Sequence, residues 1–300
     1  MYDASSIMMK VFYFGTPDLA VKPLEALAAD NQVEIIGVGV MPDKKIGRKQ
    51  ILTLCPVKQA AETLKLPVFE IQNKQDLVKI FEDHTFDLGL VIAFGMIFPE
   101  EILEKPPFGV VNVHFSLLPK YRGASPVQSA ILSGDEVSGI TFQRMVKELD
   151  AGDILLQKPA DIRSLKTSEA FEQFSCSTSG LIPLFLQLYK GKSLDPHPQK
   201  DDLATFCGKF TKADGEVSPT TETALEIWNK FRAFDLFPGI FIKTLKGNVK
   251  LTEVALEATE NSHPITCKDD SMLHIIEAQI PGKKAMHIQE ILKGNPELFD

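Results

Sequence analysis

Nothing in the chain approaches the roughly 18 consecutive apolar residues that cross a bilayer, which excludes a transmembrane helix. Cysteine is scarce: Cys55, Cys176, Cys207 and Cys267 lie far apart, with no CxxC pair among them. That argues against a metal cluster or a disulfide framework and fits reduced thiols. The stretch from Met1 to Met9 lacks the charged-then-apolar layout of a signal peptide, so the expected location is the cytoplasm. Glycine fingerprints for phosphate are missing too: neither GxGxxG nor GxxxxGK[ST] occurs, which argues against a nicotinamide-dependent oxidoreductase and a P-loop enzyme. Positive charge is not in excess, since the net charge is -8. Binding held mainly by sequence-independent phosphate attraction is therefore disfavoured, although local basic patches remain open to RNA. There are no internal repeats or low-complexity tracts.

The 300 residues exceed what one core usually serves, so two domains are expected. At 44% hydrophobic and 24% charged, the composition is that of a globular protein. Up to Lys190, β-rich runs alternate with helical stretches. Strands are expected at 10–14, 33–41, 68–71, 88–93, 109–114 and 139–145, and helices at 19–28, 56–64, 76–81, 126–132 and 167–190. This rhythm implies βαβ units and a mostly parallel sheet covered on both faces. Residues 191–209, with Pro196 and Pro198 and little apolar periodicity, read as a linker. Beyond it come an amphipathic helix at 221–231, β-type segments at 241–254 and 272–280, and a short helix at 285–292. These describe a smaller, mainly β domain over 210–300.

An open parallel sheet places its site at the carboxyl ends of its strands. That rule points to Val110-Val111-Asn112-Val113-His114, where Asn112 and His114, two apart, project to one face. Taken alone, His114 reads first as a hydrogen-bonded structural histidine and Asn112 as a capping residue. A long irregular connection follows, Ser116-Leu117-Leu118-Pro119 and then Lys120-Tyr121-Arg122-Gly123, of the kind that often carries function. Asp150, in Leu149-Asp150-Ala151-Gly152-Asp153, reads first as a turn residue. A carboxylate brought beside an imidazole would favour the protonated ring. Gly37 and Gly39, inside a strand, mark close packing.

The motif Asn112-x-His114-x-Ser116-Leu117-Leu118-Pro119-x-Tyr121-Arg122-Gly123, with Leu149-Asp150-x-Gly152-Asp153 beyond it, resembles the folate-dependent formyltransferases. Phe14-Gly15-Thr16-Pro17, Pro56-Val57-Lys58 and Phe94-Gly95-Met96-Ile97 also fall where that family has related segments. The resemblance implies a Rossmann-like formyltransferase domain over 1–190, holding the folate and catalytic site, and an OB-like C-terminal domain of tRNA-binding type. It implies 10-formyltetrahydrofolate as co-substrate and no metal. An amine would attack the formyl carbon to give a tetrahedral intermediate. Asn112 and His114 would donate to the developing oxyanion, and Asp150 would orient the imidazole and help move the amine proton. Phe94, Gly95, Met96 and Ile97 would wall the pterin pocket, with Ser116, Leu117, Leu118 and Pro119 shaping the folate site.

Members that formylate methionyl-initiator tRNA match best. Three segments carry that likeness: Pro42-Asp43-Lys44-Lys45-Ile46-Gly47-Arg48-Lys49, Lys230-Phe231-Arg232-Ala233-Phe234, and Pro281-Gly282-Lys283-Lys284-Ala285-Met286. The first also reads as a solvated basic loop. On the resemblance, Lys44, Lys45, Arg48 and Lys49 would contact the tRNA acceptor arm, with lysines as point charges and arginine able to bind bidentately or stack. One departure falls in Gln143–Glu148, which lacks an acidic residue found in many tRNA-specific members. Expected partners are thus initiator methionyl-tRNA and folate, without a membrane, for a monomer. An amino-sugar-nucleotide formyltransferase and a formyl-folate hydrolase module share the same chemistry; a catalytically silent folate- or RNA-binding protein would not need all three of Asn112, His114 and Asp150.

Overall fold

The computed structural model describes residues 8–46 and 51–299. Its described residues gather into two compact units: those up to 123 with 139–160 and 171–206, and 124–138 with 161–170 and those from 207 onward.

The first unit is built on a seven-stranded sheet. Its strands are β1 (Met9–Gly15), β2 (Val33–Val40), β5 (Val68–Glu70), β6 (Leu88–Ile92), β7 (Val110–His114), β9 (Val137–Arg144) and β10 (Ile154–Asp161), in the order β10-β9-β7-β6-β1-β2-β5. The pairs β7-β6, β6-β1, β1-β2 and β2-β5 are parallel, whereas β9 runs antiparallel to β7. Helices α1 (Val21–Ala29), α2 (Pro56–Thr63), α3 (Lys74–Asp83), α4 (Glu100–Leu103) and most of α6 (Thr167–Lys190) accompany it. α2 opens on Pro56, where a missing N–H costs nothing. α3 opens on an Asn73–Asp76 capping box and therefore starts before the apolar stripe does.

β1 is buried along almost its whole length, as a central parallel strand must be. Phe12 and Phe14 share one face and stack on each other, with Phe69, Phe81, Phe86, Phe94 and Phe98 around them. Opposite those two rings the neighbouring strand carries glycine: Phe12 pairs with Gly37 and Phe14 with Gly39. A Cβ on Gly39 would lie 2.6 Å from the Phe14 ring, so the rings occupy the space that side chains on β2 would need.

Two short strands, β3 (Lys44–Ile46) within the basic insertion and β4 (Ile51–Thr53) just past it, pair antiparallel where the sequence pattern predicts a loop. Asp43 fixes its base by accepting the Cys55 N–H at 2.8 Å and pairing with Lys58 at 3.2 Å. The Cys55 N–H, and after it the Lys58 ammonium, hold the Asp43 carboxyl below the ordinary range. β10 and β14 (His263–Thr266) stand where the sequence pattern placed no element. Each ends its sheet and contains a proline, Pro159 or Pro264, which an edge strand tolerates and which weakens the strand signal.

The second unit holds an antiparallel sheet of β12 (Ile240–Thr244), β13 (Gly247–Ala255), β15 (Met272–Gln279) and β14, with β16 (Met286–His287) also on β15. α7 (Ala224–Ala233) opens on a Thr223–Glu226 capping box, and α8 (Ile288–Lys293) follows the last strand. α5 (Pro126–Leu132), although it lies early in the chain, packs against α7 in this unit. A two-stranded ladder joins β8 (Arg122–Gly123) to β11 (Phe206–Cys207). Among the described residues no helix is long and apolar enough to cross a membrane.

Gly39→Val should destabilise the protein by about 1–3 kcal/mol in urea unfolding, because the added methyls overpack against the Phe14 ring. An unchanged midpoint would show that the β1-β2 interface has room to spare.

Candidate active site

The carboxyl ends of β1, β6 and β7 share one rim of the sheet, because the three strands are parallel neighbours. Thr16, just past β1, donates through Oγ1 to the Phe94 carbonyl just past β6 at 3.0 Å. At the end of β7, Asn112 lies opposite Gln143 of β9 and His114 opposite Thr141. Alternation puts all four polar side chains on one face of an otherwise apolar strand pair.

Asp150 completes that face. Its backbone is left-handed (φ 52°), a conformation aspartate tolerates better than most residues. Gly152 makes the turn possible, since a Cβ there would fall 1.8 Å from the Arg144 carbonyl oxygen. The carboxylate is only 10% exposed and gathers donors from three segments. Oδ1 accepts from Gln143 Nε2 at 2.8 Å and, at the edge of bonding distance, from Asn112 Nδ2 at 3.5 Å. Oδ2 accepts the Gly123 N–H at 2.8 Å and lies 3.7 Å from His114 Nδ1. Asn112, His114 and Asp150 are therefore brought together.

His114 is buried, and its Nε2 sits 2.8 Å from the Tyr121 carbonyl. A carbonyl only accepts, so Nε2 carries a proton and the nitrogen facing Asp150 is Nδ1. With Nε2–H given to the main chain, His114 has only Nδ1 to offer a substrate. Donation from Nδ1 requires the imidazolium, for which 3.7 Å to Asp150 is an ion-pair distance.

The loop after β7 is held from several sides. Thr141 Oγ1 donates to the Ser116 carbonyl at 2.7 Å and accepts the Leu118 N–H at 3.2 Å, while Gln157 donates to the Leu118 carbonyl at 2.8 Å. Ser116 Oγ donates to the Lys120 carbonyl at 2.6 Å, and the Leu118–Pro119 peptide is cis. Ser116 and Leu118 are buried within this loop, whereas Leu117 and Pro119 are partly exposed. In the segment after β6, the Phe94 ring belongs to the aromatic core, Gly95 is left-handed (φ 91°), Met96 is half-buried and Ile97 is exposed.

Two glutamines and an arginine serve the site without having been singled out as site residues. Gln199 donates through Nε2 to the carbonyls of Asp150 at 2.8 Å and Gly152 at 2.7 Å, clamping the turn. Its Oε1 accepts from Arg122 Nε at 3.0 Å, and Arg122 also pairs with Asp201 at 2.8 Å. Gln199 falls in the low-complexity-free but aperiodic stretch 191–209, where no local pattern signals a contact with residue 150. For Gln143 the sequence offers only a polar residue inside the strand expected at 139–145; its pairing with Asn112 comes from the β7-β9 register.

In the basic insertion, Lys44 and Lys45 lie on β3, while Arg48 and Lys49 fall outside the described residues. Among the described residues no group of three or more His, Cys, Asp or Glu side chains could hold a metal ion.

Residues 9–176 match the formyl transferase family, and residues 209–296 match its C-terminal domain. The methionyl-tRNA formyltransferase of Nitratiruptor sp. is 37% identical over 304 residues, covering 95% of this chain and 97% of that protein. Among solved structures, an N-formyltransferase from Helicobacter canadensis, in complex with folinic acid and dTDP-3-aminofucose, has a TM-score of 0.67 at 19% identity, covering 89% of this chain and 99% of the other. HypX from Aquifex aeolicus has a TM-score of 0.68 at 16% identity; the match covers 95% of this chain but 48% of HypX. With both domains matched and a relative of this identity spanning nearly its whole length, the chain belongs to the formyl transferase family.

Proposed function

We propose that the protein transfers a formyl group from 10-formyltetrahydrofolate to the amino group of methionyl-initiator tRNA, for translation initiation. The observation that carries this reading is the convergence of Asn112, His114 and Asp150 on one face at the rim of the sheet. Acyl transfer builds negative charge on the formyl oxygen and leaves a proton on the attacking amine. The Asn112 amide and His114 Nδ1–H are the donors for that oxygen, and the Asp150 carboxylate, beside both, takes the proton on its way to the departing folate nitrogen. Folate binds along the segments that follow β6 and β7: Phe94 through its main chain, with Gly95, Met96, Ile97 and residues 116–119. Residues 1–190 carry this chemistry, 191–209 join them to the rest, and 210–300 serve the tRNA.

The acceptor is inferred from relatives and from local charge. The 37% identical relative bears the name methionyl-tRNA formyltransferase, whereas the sugar transferase is similar at 19%. Lys44, Lys45, Arg48 and Lys49 concentrate positive charge in a chain of net charge -8, as contact with a phosphate backbone requires. In the second unit the balance is more even, with Lys243 paired to Glu216 at 2.7 Å and Lys230 to Glu222 at 2.5 Å. The protein acts as a cytoplasmic monomer on this reading.

Formylation is measured with 10-formyltetrahydrofolate and three acceptors: methionyl-initiator tRNA, methionyl-elongator tRNA and an amino-sugar nucleotide. Preference for the first supports the assignment; preference for the sugar, or folate hydrolysis with none of them formylated, overturns it. His114→Ala should lower kcat by about 10²–10³ and leave folate affinity intact, as loss of an oxyanion donor does. Turnover near the wild-type rate would remove His114 from the mechanism. Arg48→Ala should raise KM for charged tRNA about tenfold, the cost of a lost charge-assisted contact, with KM for folate unchanged. An unmoved tRNA KM would retire that role.

A further inference from the structure

Asn112 and Gln143 face each other across the β7-β9 pair, and both direct an amide at the same oxygen of Asp150. They do not share it equally. Gln143 donates at 2.8 Å, whereas Asn112 stands at 3.5 Å, where a hydrogen bond is nearly spent. Their surroundings differ as well. Gln143 is 1% exposed, so no solvent can satisfy its amide, while Asn112 is partly exposed at the mouth of the strand pair. Chemistry fixes which end of the Gln143 amide meets the carboxylate, because an ionised carboxylate only accepts.

We propose that Gln143 is a positioning residue: by holding Oδ1 of Asp150 at 2.8 Å it keeps the Asn112 amide 3.5 Å from that oxygen, in place for the formyl oxygen. The inference rests on the formyl-transfer reading above. With Oδ1 taken by Gln143 and one side of Oδ2 taken by the Gly123 N–H, the open position on the carboxylate is the one beside His114 Nδ1. Without the Gln143 N–H, the nearest replacement donor for Oδ1 is Asn112, which needs to move by less than 1 Å to reach ordinary bonding distance, roughly the difference between 3.5 Å and the usual 2.9 Å. An Asn112 amide drawn onto Asp150 shifts, and its second N–H leaves the place from which it meets the formyl oxygen.

The test is a double-mutant cycle of Gln143→Met and Asn112→Ala in the full chain, assayed under saturating 10-formyltetrahydrofolate and methionyl-initiator tRNA. Methionine keeps the length of glutamine and removes the donor. Gln143→Met alone should lower kcat tenfold or more, up to the loss of about 10²–10³ expected for Asn112→Ala, with both KM values unchanged. In the Asn112→Ala background the same change should cost no more than about twofold, since the amide it would divert is already gone. A single variant within about twofold of wild type, a rise in KM without a fall in kcat, or losses that multiply would each overturn the proposal.

Thermal unfolding of each variant checks the fold. Should Gln143→Met not fold, Gln143→Leu, which also removes the donor while filling similar space, carries the same cycle with the same expected coupling. If neither folds, Gln143 serves stability and the proposal fails. Wild-type turnover is measured first: if it appears only with the amino-sugar nucleotide, the proposed acceptor is wrong, and the cycle is read on that substrate instead.

Discussion

A carboxylate buried at the rim of a sheet, as Asp150 is, needs its lone pairs met by donors, and here the donors come from three separate parts of the chain. β9 supplies Gln143, β7 supplies Asn112, and the loop after β7 supplies the Gly123 N–H. Ordering any one of these segments therefore helps to order the others, and leaving a buried partner unsatisfied costs on the order of 1–3 kcal/mol. The aspartate can occupy this place only because its backbone is left-handed and Gly152 leaves space against the Arg144 carbonyl. Gln199, steadied by Arg122, holds the same turn from outside.

On the proposed function, this arrangement separates two tasks that otherwise compete for the same side chains. Stabilising charge on an acyl oxygen calls for donors that are aimed but not already spent. Moving a proton calls for a carboxylate whose free oxygen lies next to the reacting groups. Gln143 and the Gly123 N–H hold the carboxylate, and on the proposed function Asn112 and His114 Nδ1 are the groups left to meet the substrate. His114 is itself fixed by giving Nε2–H to the Tyr121 carbonyl, which sets the ring nitrogen that faces the centre. The large core beneath, with Phe12 and Phe14 set against Gly37 and Gly39, makes the rim a firm platform for these loops.

Much of this could be read in the chain of residues before any coordinates. Alternating strand and helix signals, the apolar run of β1 and the two-residue spacing of Asn112 and His114 are local features, and local periodicity reports them well. Gly37 and Gly39 were legible as close packing, although only the register names the rings that fill the space. Long-range pairings were not legible. Gln143 owes its importance to an antiparallel register with Asn112, and Gln199 to a contact spanning 49 residues. The edge strands β10 and β14 were hidden by their prolines. The placement of α5 beside α7 joins segments far apart in sequence, which no window of local pattern can show.

The account stands or falls on the carboxylate as the organising charge. Its most direct test is the single-turnover rate of formyl transfer by Asp150→Asn, measured beside folate binding and thermal unfolding. Asparagine keeps the shape and its one carbonyl oxygen can still accept from Gln143 or from the Gly123 N–H, but it carries no charge and cannot take the amine proton. The account predicts a rate lower by about 10²–10⁴ with the fold and folate affinity retained. Formyl transfer at close to the wild-type rate would contradict it.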